Sequence, residues 1–326
     1  MWKKALLSAL ASFAVVVAGT LGYLYFRSPN LAPPWTEKID ATPERLARGR
    51  ILFHNVTHCG DCHSRKDETR FGRPDLPDGI GVGTPFPAGP DFPGSVTAYN
   101  LTPDPETGLG SWTDGEKVRA IREGVDKNGH ALFPIMPYPD YSRLSDEDVK
   151  AIVVYMNSLA AVKNHLPPTR IHFPVNLLIK SVPRPVGHVP EPDRHDRLKF
   201  GEYLAHVAGC ESCHTPMAKG EHDYSKRFGG GRDFPGPNGI KVVSANISPD
   251  PETGIGRWNE AQFIEKFYQY RKYVAGPSPQ VGPEGFTVMP WLGVCQWPEE
   301  DLKAVFAFLM KQKPVYQAVE TRPGQS

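Results

Sequence analysis

Cys59-Gly60-Asp61-Cys62-His63 decides how this chain is read, together with its echo Cys210-Glu211-Ser212-Cys213-His214. C-x-x-C-H is the attachment signature of a c-type haem. The two thiols add to the porphyrin vinyl groups as thioethers, and the His that follows reaches the iron as an axial ligand. A zinc site would need a second Cys or His pair at close spacing, and neither copy has one. A redox dithiol has no use for the trailing His. Two complete pentapeptides therefore point to two covalently attached haem c groups, one on Cys59, Cys62 and His63, the other on Cys210, Cys213 and His214.

Outward from these motifs the chain repeats. Asn100 to Trp112 recurs as Asn246 to Trp258, with Pro-Asp-Pro-Glu-Thr-Gly identical in both. Met136-Pro137 recurs as Met289-Pro290, and Lys150-Ala151 as Lys303-Ala304. A helix opens at Thr42-Pro43-Glu44, with Thr as N-cap, Pro in the first turn and Glu at the positive end of the dipole. A last helix opens at Ser145 and buries Val149, Ile152, Val153 and Met156 at helical spacing. Each copy is the size of a domain, so this is a tandem duplication and not a solenoid. The expected layout is an anchor or signal peptide over 1–26, a tether over 27–40, one domain over 41–163, a Pro-rich connector over 164–195, a second domain over 196–318 and a tail over 319–326. The short apolar stretch 173–179 of the connector is expected to pack between the domains, a place on the membrane surface being the alternative.

Each iron needs its other face accounted for. After His222 the second copy has no His. Of Met289, Met310, Cys295 and weaker ligands, Met310 lies within the last helix and reads as core, whereas Met289, in a loop before a Pro, is the candidate ligand; Met136 by symmetry serves the first haem, with His130 as its rival. The bland role for any one Met is core filling; the paired Met-Pro argues against it. His/Met ligation raises the potential and closes the iron to exogenous ligands. The expected metal ligands are thus His63, Met136, His214 and Met289, and the expected function is electron transfer with no catalytic residue.

Composition limits the rest. The 326 residues carry a formal net charge of +1, so nothing points to nucleic acid. With 34 Pro and 31 Gly, long turn-rich loops between a few helices are expected. Of five Cys, four belong to the haem motifs, which leaves Cys295 as a buried, inert thiol and no pair for a disulfide. From Ala5 to Phe26 the chain has no charge; at 1.5 Å per residue that run spans roughly 33 Å, enough to cross a bilayer. A cleaved signal peptide would have a shorter apolar core. Lys3 and Lys4 predict a cytoplasmic N-terminus with the remainder outside.

These residues resemble class I cytochromes c, and more closely the cytochrome c subunits of membrane-bound alcohol, gluconate and sugar dehydrogenases. The likeness rests on the two C-x-x-C-H motifs, the run from Asn100 to Trp112, Arg122-Glu123-Gly124, Leu132 to Pro137, and Phe173-Pro174-Val175-Asn176. It implies a mainly α fold of two tandem class I cytochrome c domains behind an N-terminal transmembrane helix. It also implies a place on the bacterial inner membrane with the haem domains in the periplasm. A dehydrogenase would donate electrons, and a quinone, a cytochrome or a terminal oxidase would accept them. Trp112 and Trp258 match positions where an indole N–H reaches a haem propionate, core packing being their simpler role. Gly49 and Gly201 match the close contact of first and last helices, against Tyr155 and Phe308. Those subunits typically carry three haem domains where this chain has two, and their membrane attachment differs. The rival reading is a dihaem cytochrome c peroxidase, which needs one iron that opens to peroxide; the symmetric Met-Pro plan speaks against it. A weaker third reading, a sulfur-oxidising cytochrome, would use Cys295 as a ligand.

Overall fold

The computed structural model describes residues 2–86, 92–218 and 220–324. The first residue of the expected anchor, residues 87–91 of the Gly- and Pro-rich loop and the last two residues of the tail lie outside the described residues. The fold is mainly helical. In chain order the helices are α1 (Trp2–Phe26), α2 (Pro43–Ile51), α3 (Cys59–His63), α4 (Asp114–Glu123), α5 (Tyr138–Tyr141), α6 (Asp146–Ser158), α7 (Val175–Leu178), α8 (Arg197–Val207), α9 (Cys210–His214), α10 (Glu260–Tyr268), α11 (Lys272–Ala275), α12 (Trp291–Val294) and α13 (Glu299–Leu309). Among the described residues, strands form only short two-stranded pieces.

α1 is long and apolar enough to cross a membrane, and none of its residues is buried. Elsewhere the helices start where their caps dictate. Thr42 and Ser145 accept from the backbone N–H three residues on, at the heads of α2 and α6. Thr113 with Glu116 and Asn259 with Gln262 close full capping boxes on α4 and α10.

The first helix of each half crosses the last helix of the same half, α2 on α6 and α8 on α13. Glycine makes the crossing possible. A Cβ at Gly49 would stand 1.9 Å from the Ala151 carbonyl oxygen, and one at Gly201 would stand 2.0 Å from that of Ala304. Tyr155 and Phe308 are the next side chains each would meet, as expected. Val149, Ile152 and Val153 of α6 are fully buried beneath this contact.

The Asn100 and Asn246 runs fold alike. Asn100 Oδ1 accepts from the Thr102 N–H and hydroxyl, and its Nδ2 donates to the Val162 carbonyl at 2.7 Å. Asn246 does the same with Ser248 and Val315. Asp104 and Asp250 each cap the turn that follows, through Thr107 and Thr253. Both asparagine side chains are therefore spent on the turn and on the chain that follows the last helix of their half.

The two halves meet reciprocally. α5, just after Met136, packs on α8 ahead of the second motif; α12, just after Met289, packs on the turn ahead of the first. Between them Arg48 and Tyr203 both bond Asp148, and Trp297 Nε1 donates to the Asn55 carbonyl at 2.6 Å. Phe71 stacks on Tyr270 with centroids 5.2 Å apart.

Expected between the halves, the apolar stretch 173–179 instead lies beside the end of α1. Arg170–Ile171 pair with Gly94–Ser95, which ties the connector to the first half. Lys180 Nζ donates to the Tyr25 carbonyl, and Arg27 donates back to the Lys180 carbonyl. Leu177 is buried, but Phe173 and Leu178 are 65% and 50% exposed.

Candidate haem sites

Both motifs fold as a single helical turn, so Cys, Cys and His fall on one side of it. Cys59, Cys62, His63, Trp112 and Met136 line one cavity of about 640 Å³. The wall is mostly apolar, with Leu101, Leu109, Ile121, Phe133 and Ile135 among its residues. From the connector, Asn176 and Ile179 close the cavity at one edge.

His63 Nδ1 lies 2.7 Å from the Tyr99 carbonyl, and His214 Nδ1 lies 2.7 Å from that of Ala245. A carbonyl only accepts, so in each case Nδ1 carries the proton and Nε2 keeps a free lone pair for a metal. Burial lowers the pKa of both imidazoles, against the pull of those carbonyls, and keeps them neutral. Burial also pushes the Cys59 thiol up to about 12 and Cys62 up to about 11; Cys210 rises to about 12. A reactive dithiol needs the opposite shift. Two thiols, a neutral imidazole with Nε2 free and a thioether around an apolar cavity fit a haem c.

After each Met the chain makes the same turn. The N–H of Tyr138 donates to the Met136 carbonyl and that of Trp291 to the Met289 carbonyl, both at 2.8 Å. Met136 and Met289 are half-buried against the core, as are Cys210, Trp112 and Trp258. Lys127 lies over the Trp112 ring, 6.0 Å from its centroid. His130 is 76% exposed and paired with Asp126, a poor position for an iron ligand. Cys295 is fully buried and donates to the Leu292 carbonyl, as Ser142 donates to Pro139 in the first half.

Three features escaped the sequence reading. The Tyr141 hydroxyl, in the cavity wall, donates to the Thr57 carbonyl ahead of Cys59. Arg122, 1% exposed, pairs with Asp146 and donates to the Gly187 carbonyl, while Glu123 accepts from the Val186 N–H. The Arg-Glu-Gly run thus straps the connector to the first half. The third is His58, which precedes Cys59 in the left-handed region at φ 50° and ψ 36°. That costs an L-residue about 1–2 kcal/mol, and the second motif spends a glycine there, Gly209 at φ 71°. A comparison of the residues before each motif could have found His58.

Glu211, inside the second motif, carries a pH signature. Burial would raise its pKa, but hydrogen bonds and charge from His206 and Arg227 outweigh it and hold the carboxyl down at about 2, against an ordinary 4.5. A depressed acid stabilises the fold above its unfolded pKa and loses that as pH falls through the folded one. Stability from this group is expected to be complete above about pH 4.5 and to drain towards about pH 2. Glu211→Gln should be less stable at pH 7 and should flatten the acid limb of a denaturation series. An unchanged acid limb would show that the pair contributes nothing.

The family model for cytochrome c matches residues 46–160. The chain is 30% identical over 273 residues to the gluconate 2-dehydrogenase cytochrome c subunit of Pantoea cypripedii, covering 80% of this chain and 56% of that one. It is 28% identical over 237 residues to the alcohol dehydrogenase (quinone) cytochrome c subunit of Gluconobacter oxydans, covering 69% and 47%. It thus spans about half the length of these two subunits. A diheme cytochrome c-type protein of Cereibacter sphaeroides is 26% identical over 317 residues, covering 95% and 98%.

Proposed function

From the cytochrome c domain in its first half, and its homology to dehydrogenase cytochrome c subunits and a dihaem cytochrome c, we propose that the protein is a membrane-tethered dihaem electron carrier. In this reading residues 41–163 and 196–318 are each a class I cytochrome c unit. They take electrons from a periplasmic dehydrogenase and pass them towards a quinone, a cytochrome or a terminal oxidase. The observation that carries it is the matched pair of His Nδ1–carbonyl bonds, which present Nε2 at both motifs.

When bound, haem supplies one-electron chemistry at its iron. Cys59 and Cys62 would hold one haem covalently and Cys210 and Cys213 a second; His63 and Met136, and His214 and Met289, would be their iron ligands. The apolar wall keeps water from the first site and, with Met ligation, favours the reduced state. Were Met136 and Met289 to ligate, protein side chains would leave no place for peroxide, which disfavours the peroxidase alternative.

α1 is the tether, with the N-terminus cytoplasmic. Tyr23, Tyr25 and Phe26, all exposed at its end, suit a membrane interface, and exposed Phe173 and Leu178 beside them would rest on the same surface.

The test is EPR and near-infrared spectroscopy of the oxidised protein, with and without hydrogen peroxide. Two low-spin His/Met haems unmoved by peroxide are expected. One high-spin or peroxide-sensitive haem would make the protein an enzyme.

A further inference from the structure

We propose that the His58 ring is the contact through which electrons cross between the two haem sites; this rests on the two-haem reading above. Among the contacts between the halves, two are equivalent, each joining the residue before one motif to the residue four past the other half's Met. At one point Gly209 faces Asp140: a Cβ on Gly209 would stand 3.9 Å from the carboxylate, which accepts from Ser212 Oγ at 2.6 Å. At the other point the sizes are exchanged, and His58 faces Gly293. A Cβ on Gly293 would stand 3.1 Å from the His58 ring and from the His54 carbonyl.

Further observations single out His58. It holds a left-handed backbone where its counterpart is glycine, so something other than local geometry keeps a side chain there. Its two ring nitrogens are buried, and the polar group beside them is the His54 carbonyl. His58 lines both the first haem cavity and a second cavity of about 360 Å³ between the halves, whose wall includes Pro290 and Gly293. One imidazole thus reaches from the wall of the first cavity to α12, the helix just after Met289.

The chain ahead of His58 is also built for this. The first Cys comes ten residues after Gly49 but nine after Gly201. The extra residue is absorbed in a π-helical turn, Leu52–Val56, where α8 runs as a plain α-helix. From that turn the Asn55 carbonyl takes the Trp297 indole, which seats α12 against His58.

Electron tunnelling falls steeply across gaps and less through packed atoms. In the step, one electron leaves a ferrous iron and reduces the ferric iron of the other half, with no proton or bond exchanged. The crossing at Asp140 offers a carboxylate and a hydroxyl; the crossing at His58 offers a π ring in contact with both sides.

The test uses the full-length holoprotein, with inter-haem electron transfer followed after flash photoreduction. His58→Gly copies the second motif and removes the backbone strain, so it should melt no lower than the parent and keep both haem spectra. Its inter-haem rate is expected to fall by about an order of magnitude. His58→Phe, which restores a ring without nitrogens, is expected to recover most of that rate. An unchanged rate in the glycine variant with two intact haems overturns this proposal alone. A phenylalanine variant as slow as the glycine one overturns the contact account. One haem per chain in a pyridine haemochrome assay sinks the two-haem reading, and this proposal with it.

Discussion

Gly201→Ala is expected to destabilise the second half by about 4 kcal/mol or more, a loss reserved for a few mechanisms such as overpacking. The position separates two effects of opposite sign. Inside a helix, Ala is favoured over Gly by about 1 kcal/mol, so α8 taken alone should gain. The added Cβ, however, would stand 2.0 Å from the Ala304 carbonyl oxygen and 3.1 Å from Phe308 Cβ. The first neighbour is helix backbone and cannot rotate aside, so α8 and α13 must separate along their length. Leu204, Leu302 and Leu309, all essentially unexposed, would lose their packing. Gly49→Ala should act in the same way on α2 and α6, where the Ala151 oxygen is 1.9 Å away. Urea denaturation of the holoprotein measures both. A midpoint at or above the parent's would show that the helices are not held at this distance.

Met289→Leu is expected to convert the second haem from six-coordinate low-spin to a form open to water or peroxide, and to lower its potential. Leucine conserves volume, so the fold should tolerate the change within about 1.5 kcal/mol. On the proposed ligation, what it removes is the thioether that would, with His214, stabilise the reduced iron. Met136→Leu should do the same to the first haem and leave the second untouched, because the two methionines sit on separate loops. A redox titration with near-infrared detection should show one charge-transfer band lost in each single variant. Both bands surviving in Met289→Leu would remove Met289 from the ligand set. Peroxidase activity appearing in the variant alone would indicate that ligand closure is what keeps the parent a carrier.

The chemistry of each site could be read from the chain because it depends on neighbours in sequence. Cys59, Cys62 and His63 share one helical turn, and so do Cys210, Cys213 and His214, as C-x-x-C-H spacing requires. The Met-Pro loops and the Asn100 and Asn246 turns were legible for the same reason: each is a local arrangement, and each occurs twice. Gly49 and Gly201 pointed to a close helix crossing through the resemblance to class I cytochromes c.

Only the tertiary structure decided what depends on residues far apart. The carbonyls of Tyr99 and Ala245 orient His63 and His214 from more than thirty residues away, and backbone groups leave no mark on side-chain identity. The connector was placed wrongly because its apolar residues read as core, whereas Lys180 and Arg27 tie it to the end of α1. The pairing of His58 with Gly293 needed the halves docked, since a size exchange between two contacts is invisible until both are seen. Local chemistry is written in short spacings and survives as a pattern; an interface is a sum of distant packing choices, each unremarkable in its own stretch of chain.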